Sequence, residues 1–235
     1  MHATSSRLAL LALLCTGAVT AASAQATGLP TSQPSLVTII REEVKVGRTA
    51  DHARIESGWP AAFARAKSPD HYLAMVSMTG LSEAWYIVPA TSHAAIAEGM
   101  KRDDANPVLS AELARLSRAD AEVVNNVRTI QAIARPDLSI GSFPDLTRQR
   151  FWEITTFRVR PGHEQEFAVA AKAYGSAAQR AAPNTSFRVY EVIAGMLGPT
   201  YFVFSSVEDY GQFDQMMADG MSTMRAFTPD EMTAM

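Results

Sequence analysis

The chain of 235 residues contains a single cysteine, Cys15, inside its first apolar stretch. An intrachain disulfide needs two cysteines, and a zinc site built on thiolates needs several, so the sequence excludes both. The fold must therefore be held together by apolar burial and backbone hydrogen bonds, whatever the redox state of the compartment.

A surplus of positive charge is also missing, since 21 Lys and Arg residues stand against 24 Asp and Glu residues, for a net charge of −3 at pH 7. Such a chain offers no basic surface to a nucleic acid, and no Lys/Arg-rich amphipathic stretch indicates contact with a membrane surface. The motifs GxGxxG after a strand, the P-loop, GxSxG and HExxH are absent too. We therefore expect a small molecule or a second copy of the chain as partner.

The apolar run near the N-terminus is too short to span a membrane. Residues Leu8–Leu14 follow Arg7 and precede small residues that end in Ala22-Ser23-Ala24, whereas a membrane-spanning helix needs ~18–20 apolar residues. This pattern predicts a signal peptide cleaved after Ala24 and export to the periplasm or the medium, with no membrane contact after cleavage. A lipoprotein site at Cys15 is the alternative, although Leu14 occupies a position where a small residue is expected.

The chain repeats itself at an offset of 115 residues. "VKVGRTADH" (44–52) lies over "VRPGHEQEF" (159–167), with Gly47 over Gly162, and each stretch predicts a strand that turns into a helix. At the same offset, Trp59-Pro60 lies over Tyr174-Gly175, which predicts an interruption of the first helix in both copies. We interpret the chain as two copies of one unit.

Each copy predicts the order strand, helix, strand, strand, helix, and "IQAIA" within 127–140 adds a fourth strand to the first copy. This is the βαββαβ order of a ferredoxin-like unit, an α+β fold with one sheet face uncovered. Two such units can cover each other's open faces. At the repeat offset the fourth strand of the second copy would fall beyond Met235, so we expect either that the chain ends short or that the second sheet has one strand fewer. The predicted segments are a signal peptide (1–24), a flexible lead-in (25–35), repeat 1 (36–141), a linker (142–150) and repeat 2 (151–235).

The stretches "REEVKVGR", "ESGWPAAFARAKSPDHYLAMVSMTGLSEAWYI", "RPDLSI" and "VRPGHEQEFAVAAKAY" resemble tandem, exported bacterial members of the dimeric α/β-barrel superfamily. That superfamily includes NIPSNAP-like and antibiotic-biosynthesis-monooxygenase-like proteins. The resemblance covers roughly residues 36 to 235 and implies one intrachain barrel made of two ferredoxin-like halves. It does not assign a function, because members include cofactor-free oxygenases, haem enzymes, isomerases and dehydratases. Val46 stands where the family carries a proline before Gly47.

Histidines are the first candidates for chemistry. "HARIE" places His52 and Glu56 four residues apart on one helical face, a spacing that could serve a metal. No third ligand stands nearby in the sequence, so we interpret the pair as an exposed or ion-paired helix face and predict no metal site. His71 precedes a strand and His93 begins a helix, where each could act as an acid, a base or a haem ligand or simply cap a loop.

Carboxylates and aromatics complete the candidates. Glu83 and Glu191 lie within apolar strands, where burial could raise their pKa and make a base, although an edge position is the simpler interpretation. Aromatic side chains could line a cavity or simply fill the core, and they are Trp59, Trp85, Tyr86, Trp152, Tyr174, Tyr190 and Tyr201. The site predicted from the sequence has His71 and Glu83 as catalytic residues and a pocket lined by Trp59, Trp85, His93, Tyr174, Glu191 and Tyr201.

We expect an exported small-molecule-binding protein, in which a cofactor-independent monooxygenase or isomerase activity on a small apolar or aromatic compound is the leading enzymatic hypothesis. A non-catalytic structural or oligomerisation module is the rival hypothesis. Haem binding is a third, although the sequence displays no electropositive pocket for propionates. An inward-facing His or Glu at a cavity would favour the first hypothesis, and a filled interface between the sheets would favour the second.

Overall fold

The structure, a computed structural model, describes residues 28–233. The predicted signal peptide therefore lies outside the described residues. The first unit contains β1 (Leu36–Val44), α1 (Thr49–Glu56), α2 (Gly58–Ala66), β2 (Leu73–Val76), β3 (Glu83–Ala90), α3 (His93–Asp104), α4 (Pro107–Ala121) and β4 (Val124–Ala134). The second unit contains β5 (Phe151–Arg158), α5 (Glu164–Ala181), β6 (Arg188–Ala194), β7 (Thr200–Val207), α6 (Gln212–Arg225) and α7 (Pro229–Thr233).

The strands form one seven-stranded sheet in the order β2-β3-β1-β4-β6-β7-β5. All neighbouring strands are antiparallel, and the pairing of β4 with β6 joins the two units edge to edge. The predicted α+β fold of two ferredoxin-like halves is confirmed. Among the described residues the second unit contributes three strands, as predicted, so β5 and β2 are the two edges of the sheet.

The sheet curls so that its two halves pack face to face. Trp85 on β3 and Phe202 on β7 lie far apart in the strand order, yet their ring centroids are 5.7 Å apart in an edge-on contact. The core on this inner face combines residues of both units, among them Ile39, Ile130 and Val192. Because each strand alternates its side chains between two faces, the other residues of these strands face the helices.

The repeated corner between strand and helix is built on glycine in both units. Gly47 has φ +80° and Gly162 has φ +89°, and α1 and α5 begin two residues after them. A side chain at such φ values is strained, which explains the glycine at both places. The first helix of the first unit is interrupted as predicted, but at Ser57, between α1 and α2, and the predicted Trp59-Pro60 lies inside α2. The prediction was wrong for the second unit, where α5 runs unbroken through Gly175, whose missing Cβ makes room for Ile140.

The lead-in is hydrogen-bonded to β4 and β6, the two strands at the junction of the units, and it lines one cavity together with the linker. In the lead-in, the Gln33 side chain donates a hydrogen bond to the Val189 carbonyl over 3.0 Å, and the Ser35 carbonyl accepts one from the Ala134 amide over 2.9 Å. Leu29 of the lead-in and Phe143 of the linker line the same cavity. No helix among the described residues is long and apolar enough to cross a membrane.

The junction between the units depends on the hairpin glycine Gly195. Its φ is +87°, and an added Cβ would lie 2.1 Å from the Thr129 carbonyl oxygen of β4. We predict that Gly195→Ala lowers the free energy of unfolding by about 3 kcal/mol or more, since strain and a backbone clash add. Gly80→Ala is the matched control, because Gly80 has φ +81° but open space around it, and strain alone costs about 1–2 kcal/mol. If urea denaturation shows that Gly195→Ala and Gly80→Ala lose the same free energy of unfolding, the close contact between Gly195 and β4 does not stabilise the junction.

Candidate functional site

A cavity of about 100 Å³ lies at one end of the inner face, between the two edge strands; we call it the barrel cavity. Its walls are mostly apolar and come from both units, from the lead-in and from the linker. Representative lining residues are Leu29, Val37, Leu73, Phe143, Trp152 and Phe204. A dry cavity of ~150 Å³ holds a benzene molecule, so the barrel cavity, which is partly open to solvent, has room on the scale of a single aromatic ring.

Arg188 is the charged group in the wall of the barrel cavity, and only 8% of its surface is exposed. Its Nη2 donates to the carbonyl oxygens of Gly141 (2.7 Å) and Ser142 and to the Ser186 hydroxyl (3.0 Å). Its Nε is buried and has no partner among the described residues. No described carboxylate forms an ion pair with Arg188, and burial lowers the pKa of its guanidinium. The cavity therefore contains an uncompensated positive charge.

His71 lines the barrel cavity from the loop before β2. Its Nε2 is buried without a hydrogen-bond partner among the described residues, and its Nδ1 lies 3.4 Å from the Pro69 carbonyl oxygen. Arg188 Nε and His71 Nε2 are thus both buried without a hydrogen-bond partner among the described residues, and both residues line the barrel cavity. Buried polar atoms usually have partners, so this pair is an exception that a ligand would explain.

A second and larger cavity of about 710 Å³ lies between α1, α2 and β2; we call it the groove. His71 lines the groove as well as the barrel cavity. Along one wall of the groove stand His52 and Glu56 from α1 and Tyr86 from β3. No arginine or lysine lines it.

His52 and Glu56 of this wall belong to a group that extends behind it, which we call the acid–histidine cluster: Glu42, His52, Glu56 and Asp120. One ligand atom from each side chain lies within 4.8 Å of every other. His52 Nε2 is 2.9 Å from Glu42 Oε2 and 3.6 Å from Asp120 Oδ1. His52 is 3% exposed and Asp120 is 5% exposed. Of the two alternatives in the prediction, an exposed or an ion-paired helix face, exposure is wrong for His52, which is buried and paired with Glu42.

Local structure explains why these four residues meet. Glu42 faces the helices because it alternates with the inward-facing residues Ile39 and Arg41 of β1. His52 and Glu56 share one face of α1 because four residues make about one helical turn. Asp120 lies in the last turn of α4, which packs against α1. Sequence reasoning missed Glu42 and Asp120, which stand 10 and 68 positions from His52.

Burial dominates the electrostatics of the cluster. Desolvation is the first cause that raises the pKa of Glu42 and of Asp120, and the nearby His52 opposes it in both. Desolvation also raises the pKa of Glu56 to about 7, although Tyr86 donates a hydrogen bond to the Glu56 carboxylate. No arginine or lysine of the described residues forms an ion pair with the cluster. Three carboxyl groups therefore share one imidazole as their only potential cation.

The second unit fills the corresponding place with apolar side chains. At the 115-residue offset, Glu42 lies over Phe157, His52 over Phe167 and Glu56 over Ala171. Phe157 and Phe167 pack against each other with ring centroids 5.5 Å apart. The fold itself therefore does not require polar groups between this strand and this helix, and the acid–histidine cluster is specific to the first unit.

Glu83, one of the two residues predicted to be catalytic, instead forms an ion pair with Arg41. Both of its carboxylate oxygens accept hydrogen bonds from Arg41, over 2.6 and 2.9 Å, and one also accepts from Trp85 Nε1 over 3.0 Å. Burial alone would raise the pKa of Glu83, but these hydrogen bonds outweigh it and the pKa is lowered. A raised pKa, on which its role as a base was argued, is therefore not found.

Among the predicted site residues, only His71 lines either of these two cavities. Trp85 lies under the Arg41 guanidinium at 4.9 Å, and Glu191 pairs with Arg135 at 2.7 Å. The others occupy scattered places: Trp59 packs against α4, His93 is exposed at the start of α3, Tyr174 packs against Phe187 and Phe227, and Tyr201 stacks on Phe167. Three aromatics considered as cavity or core residues do line a cavity, namely Tyr86, Trp152 and Tyr190.

No protein-family model matches the chain, and no curated protein matches it. Solved structures do match. A putative monooxygenase from Fusobacterium nucleatum aligns with a TM-score of 0.53 and 11% identity over 80% of this chain and 81% of that one. Another from Lactobacillus acidophilus aligns with a TM-score of 0.53 and 8% identity over 83% and 87%. A NIPSNAP domain protein from Burkholderia xenovorans aligns at 10% identity with 43% of this chain and 95% of its own, with a TM-score of 0.36.

At such low identities, the two matches with a TM-score of 0.53 show the fold alone. They agree with the curled antiparallel sheet and its outer helices, so the chain has the dimeric α/β-barrel architecture that its sequence resemblance implied.

The raised pKa of Glu56 makes stability depend on pH. A carboxyl group whose pKa is higher in the folded state costs stability once it ionises. Stability therefore falls as the pH rises from the pKa of an unfolded glutamate, about 4.3, to the pKa of Glu56 in the folded protein, about 7. We predict that Glu56→Gln raises the free energy of unfolding by about 1–2 kcal/mol at about pH 8.5, a value discounted for partial exposure, and has little effect near pH 4. Urea denaturation of chelator-treated protein at the two pH values measures these free energies of unfolding. Glu98→Gln, at an exposed and unpaired carboxylate on α3, should change neither; a pH-independent effect of Glu56→Gln would contradict the prediction.

Proposed function

We propose that the protein is an exported small-molecule-binding protein that holds a small apolar or aromatic carboxylate in the barrel cavity. The observation that supports this proposal most strongly is the buried Arg188, whose Nε lacks a partner at the wall of an otherwise apolar cavity. Export rests on the signal peptide predicted over residues 1–24.

A ligand carboxylate would satisfy what the cavity leaves unmet. An isolated buried cation is costly because the protein interior solvates it poorly, and the cost falls when an anion forms charge-assisted hydrogen bonds with it. The three acceptors that Arg188 does have are carbonyl and hydroxyl oxygens, which are neutral. The unpartnered Nε2 of His71 supplies a second hydrogen-bonding group. The apolar walls then suit the hydrocarbon part of the ligand.

The size and lining of the two cavities also argue against the rival hypotheses of a structural module and of haem binding. A purely structural module predicts a filled interface between the two sheet halves, whereas a cavity with unpartnered polar atoms remains at one end of this interface. Haem does not fit the barrel cavity, because about 100 Å³ is well below the ~300–1,000 Å³ of pockets for drug-sized ligands. The groove is large enough, but among the described residues its wall carries Glu56 and Asp70 and no arginine or lysine to pair with propionates.

A cofactor-independent monooxygenase or isomerase acting on the bound compound is the second candidate function. His71 favours it, because a ring nitrogen without a partner at a cavity wall can accept a proton from a bound substrate. In this proposal Arg188 holds the substrate and His71 acts as the base, whereas Glu83 stays engaged with Arg41. Assembly into homo-oligomers through the unpaired edges of β2 and β5 is compatible with either function.

Ligand charge tests the binding proposal. We predict that benzoate binds more tightly than the neutral benzamide, and that Arg188→Gln removes this preference by weakening benzoate about 10–100-fold, as expected when a charged hydrogen-bond partner is lost. Calorimetric titration measures both affinities, and Trp152 in the cavity wall offers a fluorescence signal. Arg115→Gln is the control, because Arg115 is exposed on α4 and pairs with Glu112. Equal affinity for benzoate and benzamide in the wild-type protein would overturn the proposal.

His71→Gln separates binding from catalysis. Glutamine can still hydrogen-bond to a ligand but cannot act as a base near neutral pH. We predict that this variant binds benzoate within about threefold of wild type, a change of about 0.7 kcal/mol. If the protein is a monooxygenase, oxygen uptake with hydroxylated aromatic acids should be lost in the variant. Uptake that continues unchanged would exclude His71 as the base.

A further inference from the structure

We propose that the acid–histidine cluster is a binding site for one first-row divalent metal ion, held by Glu42, His52, Glu56 and Asp120. This site lies between β1, α1 and α4, apart from the barrel cavity, so it does not depend on the proposed function. The four side chains come from three elements, and one ligand atom from each lies within 4.8 Å of the others.

Asp120 provides the observation that points to a ligand. Its side chain is only 8% exposed, and its Oδ1 has no hydrogen-bond partner among the described residues. This oxygen faces the cluster, since it lies 3.6 Å from His52 Nε2, which is beyond hydrogen-bond distance. A buried carboxylate oxygen without a donor is costly, and a cation at the centre of the cluster would satisfy it.

The spacing of the donor atoms fits a metal ion. Zinc bonds of about 2.0–2.2 Å place neighbouring donors of a tetrahedral site roughly 3.2–3.6 Å apart. His52 Nε2 stands 2.9 Å from Glu42 Oε2 and 3.6 Å from Asp120 Oδ1. Small side-chain rotations therefore suffice to surround an ion.

The donor set selects the class of ion. One imidazole suits zinc, iron, nickel or copper, and carboxylates suit manganese, magnesium or calcium. A mixture of one imidazole and three carboxylates fits Zn²⁺ and Mn²⁺ best, whereas Mg²⁺ and Ca²⁺ gain little from the nitrogen. Because no arginine or lysine of the described residues pairs with these carboxylates, the divalent charge would also relieve their mutual repulsion.

The second unit gives an internal comparison. The same strand and helix positions there hold Phe157, Phe167 and Ala171, so an apolar filling is compatible with this corner of the fold. Buried ionisable groups that the architecture does not need are often functional. The first unit thus carries a buried polar cluster where the second unit, at its edge strand β5, carries partly exposed apolar side chains.

The groove supplies the route by which an ion can enter. His52, Glu56 and Tyr86 form part of its wall, and Glu56 is half-buried. An ion bound by the cluster would therefore have its Glu56 side turned toward the groove, where water or an oxygen-bearing small molecule can reach a remaining coordination position. Tyr86, which hydrogen-bonds to Glu56, would orient that carboxylate.

Titration of the chelator-treated full chain with Zn²⁺ and with Mn²⁺, followed by calorimetry, tests the site. We expect one ion per chain, with Mg²⁺ binding more weakly than either. Asp120→Asn keeps the shape of the side chain and should weaken Zn²⁺ about 10–100-fold. Glu98→Gln is the control for loss of a carboxylate outside the cluster and should leave the affinity unchanged. Circular dichroism verifies that each variant is folded.

If Asp120→Asn does not fold, Glu56→Gln replaces it, because the half-buried Glu56 can be neutralised while its amide oxygen still accepts from Tyr86. A Co²⁺ titration adds a readout of the ligand set, since the visible absorption of the bound ion should disappear in His52→Gln. Absence of saturable binding of Zn²⁺, Mn²⁺ and Co²⁺ by folded wild-type protein at millimolar concentrations would overturn the proposal. So would wild-type affinity in Asp120→Asn or Glu56→Gln.

Discussion

The pairing of β4 with β6 is the interaction on which the rest of the structure depends. Each unit alone has a sheet with helices on one face and an uncovered apolar face on the other. Joining the units at one edge produces a single sheet, and its curl brings Trp85 of the first unit onto Phe202 of the second. The shared core and the barrel cavity exist only because of this closure, since both units contribute residues to each.

Polar groups inside this closed structure fall into two kinds. Some are fully compensated, as where Glu83 accepts hydrogen bonds from Arg41 and Trp85, or Glu191 pairs with Arg135. Others are not: among the described residues Arg188 has no carboxylate partner, and Asp120 Oδ1 has no hydrogen-bond partner. The first kind stabilises the fold, whereas the second costs stability unless a ligand is bound. The two proposed binding sites therefore rest on the uncompensated groups and not on the histidines and aromatics singled out in the sequence.

Much of the architecture could be predicted from the sequence because it depends on local patterns. Alternating residues in the strands, the glycines at 47 and 162, and the similarity seen at an offset of 115 residues led to the correct element order and to three strands in the second unit among the described residues. The predicted break in α5 was wrong because a glycine beside an aromatic does not end a helix when a neighbour such as Ile140 fills the space.

The candidate sites were harder to predict because distant residues decide them. His52 is buried because Glu42 and Asp120 approach it from another strand and another helix, and the i, i+4 spacing alone could not reveal this. Glu83 is not a base because Arg41 reaches it from the neighbouring strand. Arg188 did leave a signal in the sequence. It lies two and four positions before the buried Tyr190 and Val192 on the same strand, so it shares their inward face. An arginine on the apolar face of a strand is a pattern that can be sought.

In the proposed function, Arg188 binds the carboxylate of a ligand inside the barrel cavity. A crystal of the protein soaked with a bromine-labelled benzoate tests it most directly, because the anomalous signal of bromine locates the ligand independently of any activity. The account predicts bromine among the apolar walls near Trp152, with a carboxylate oxygen within about 3 Å of Arg188 Nε. A ligand bound elsewhere, or a carboxylate pointing away from Arg188 into solvent, would contradict it.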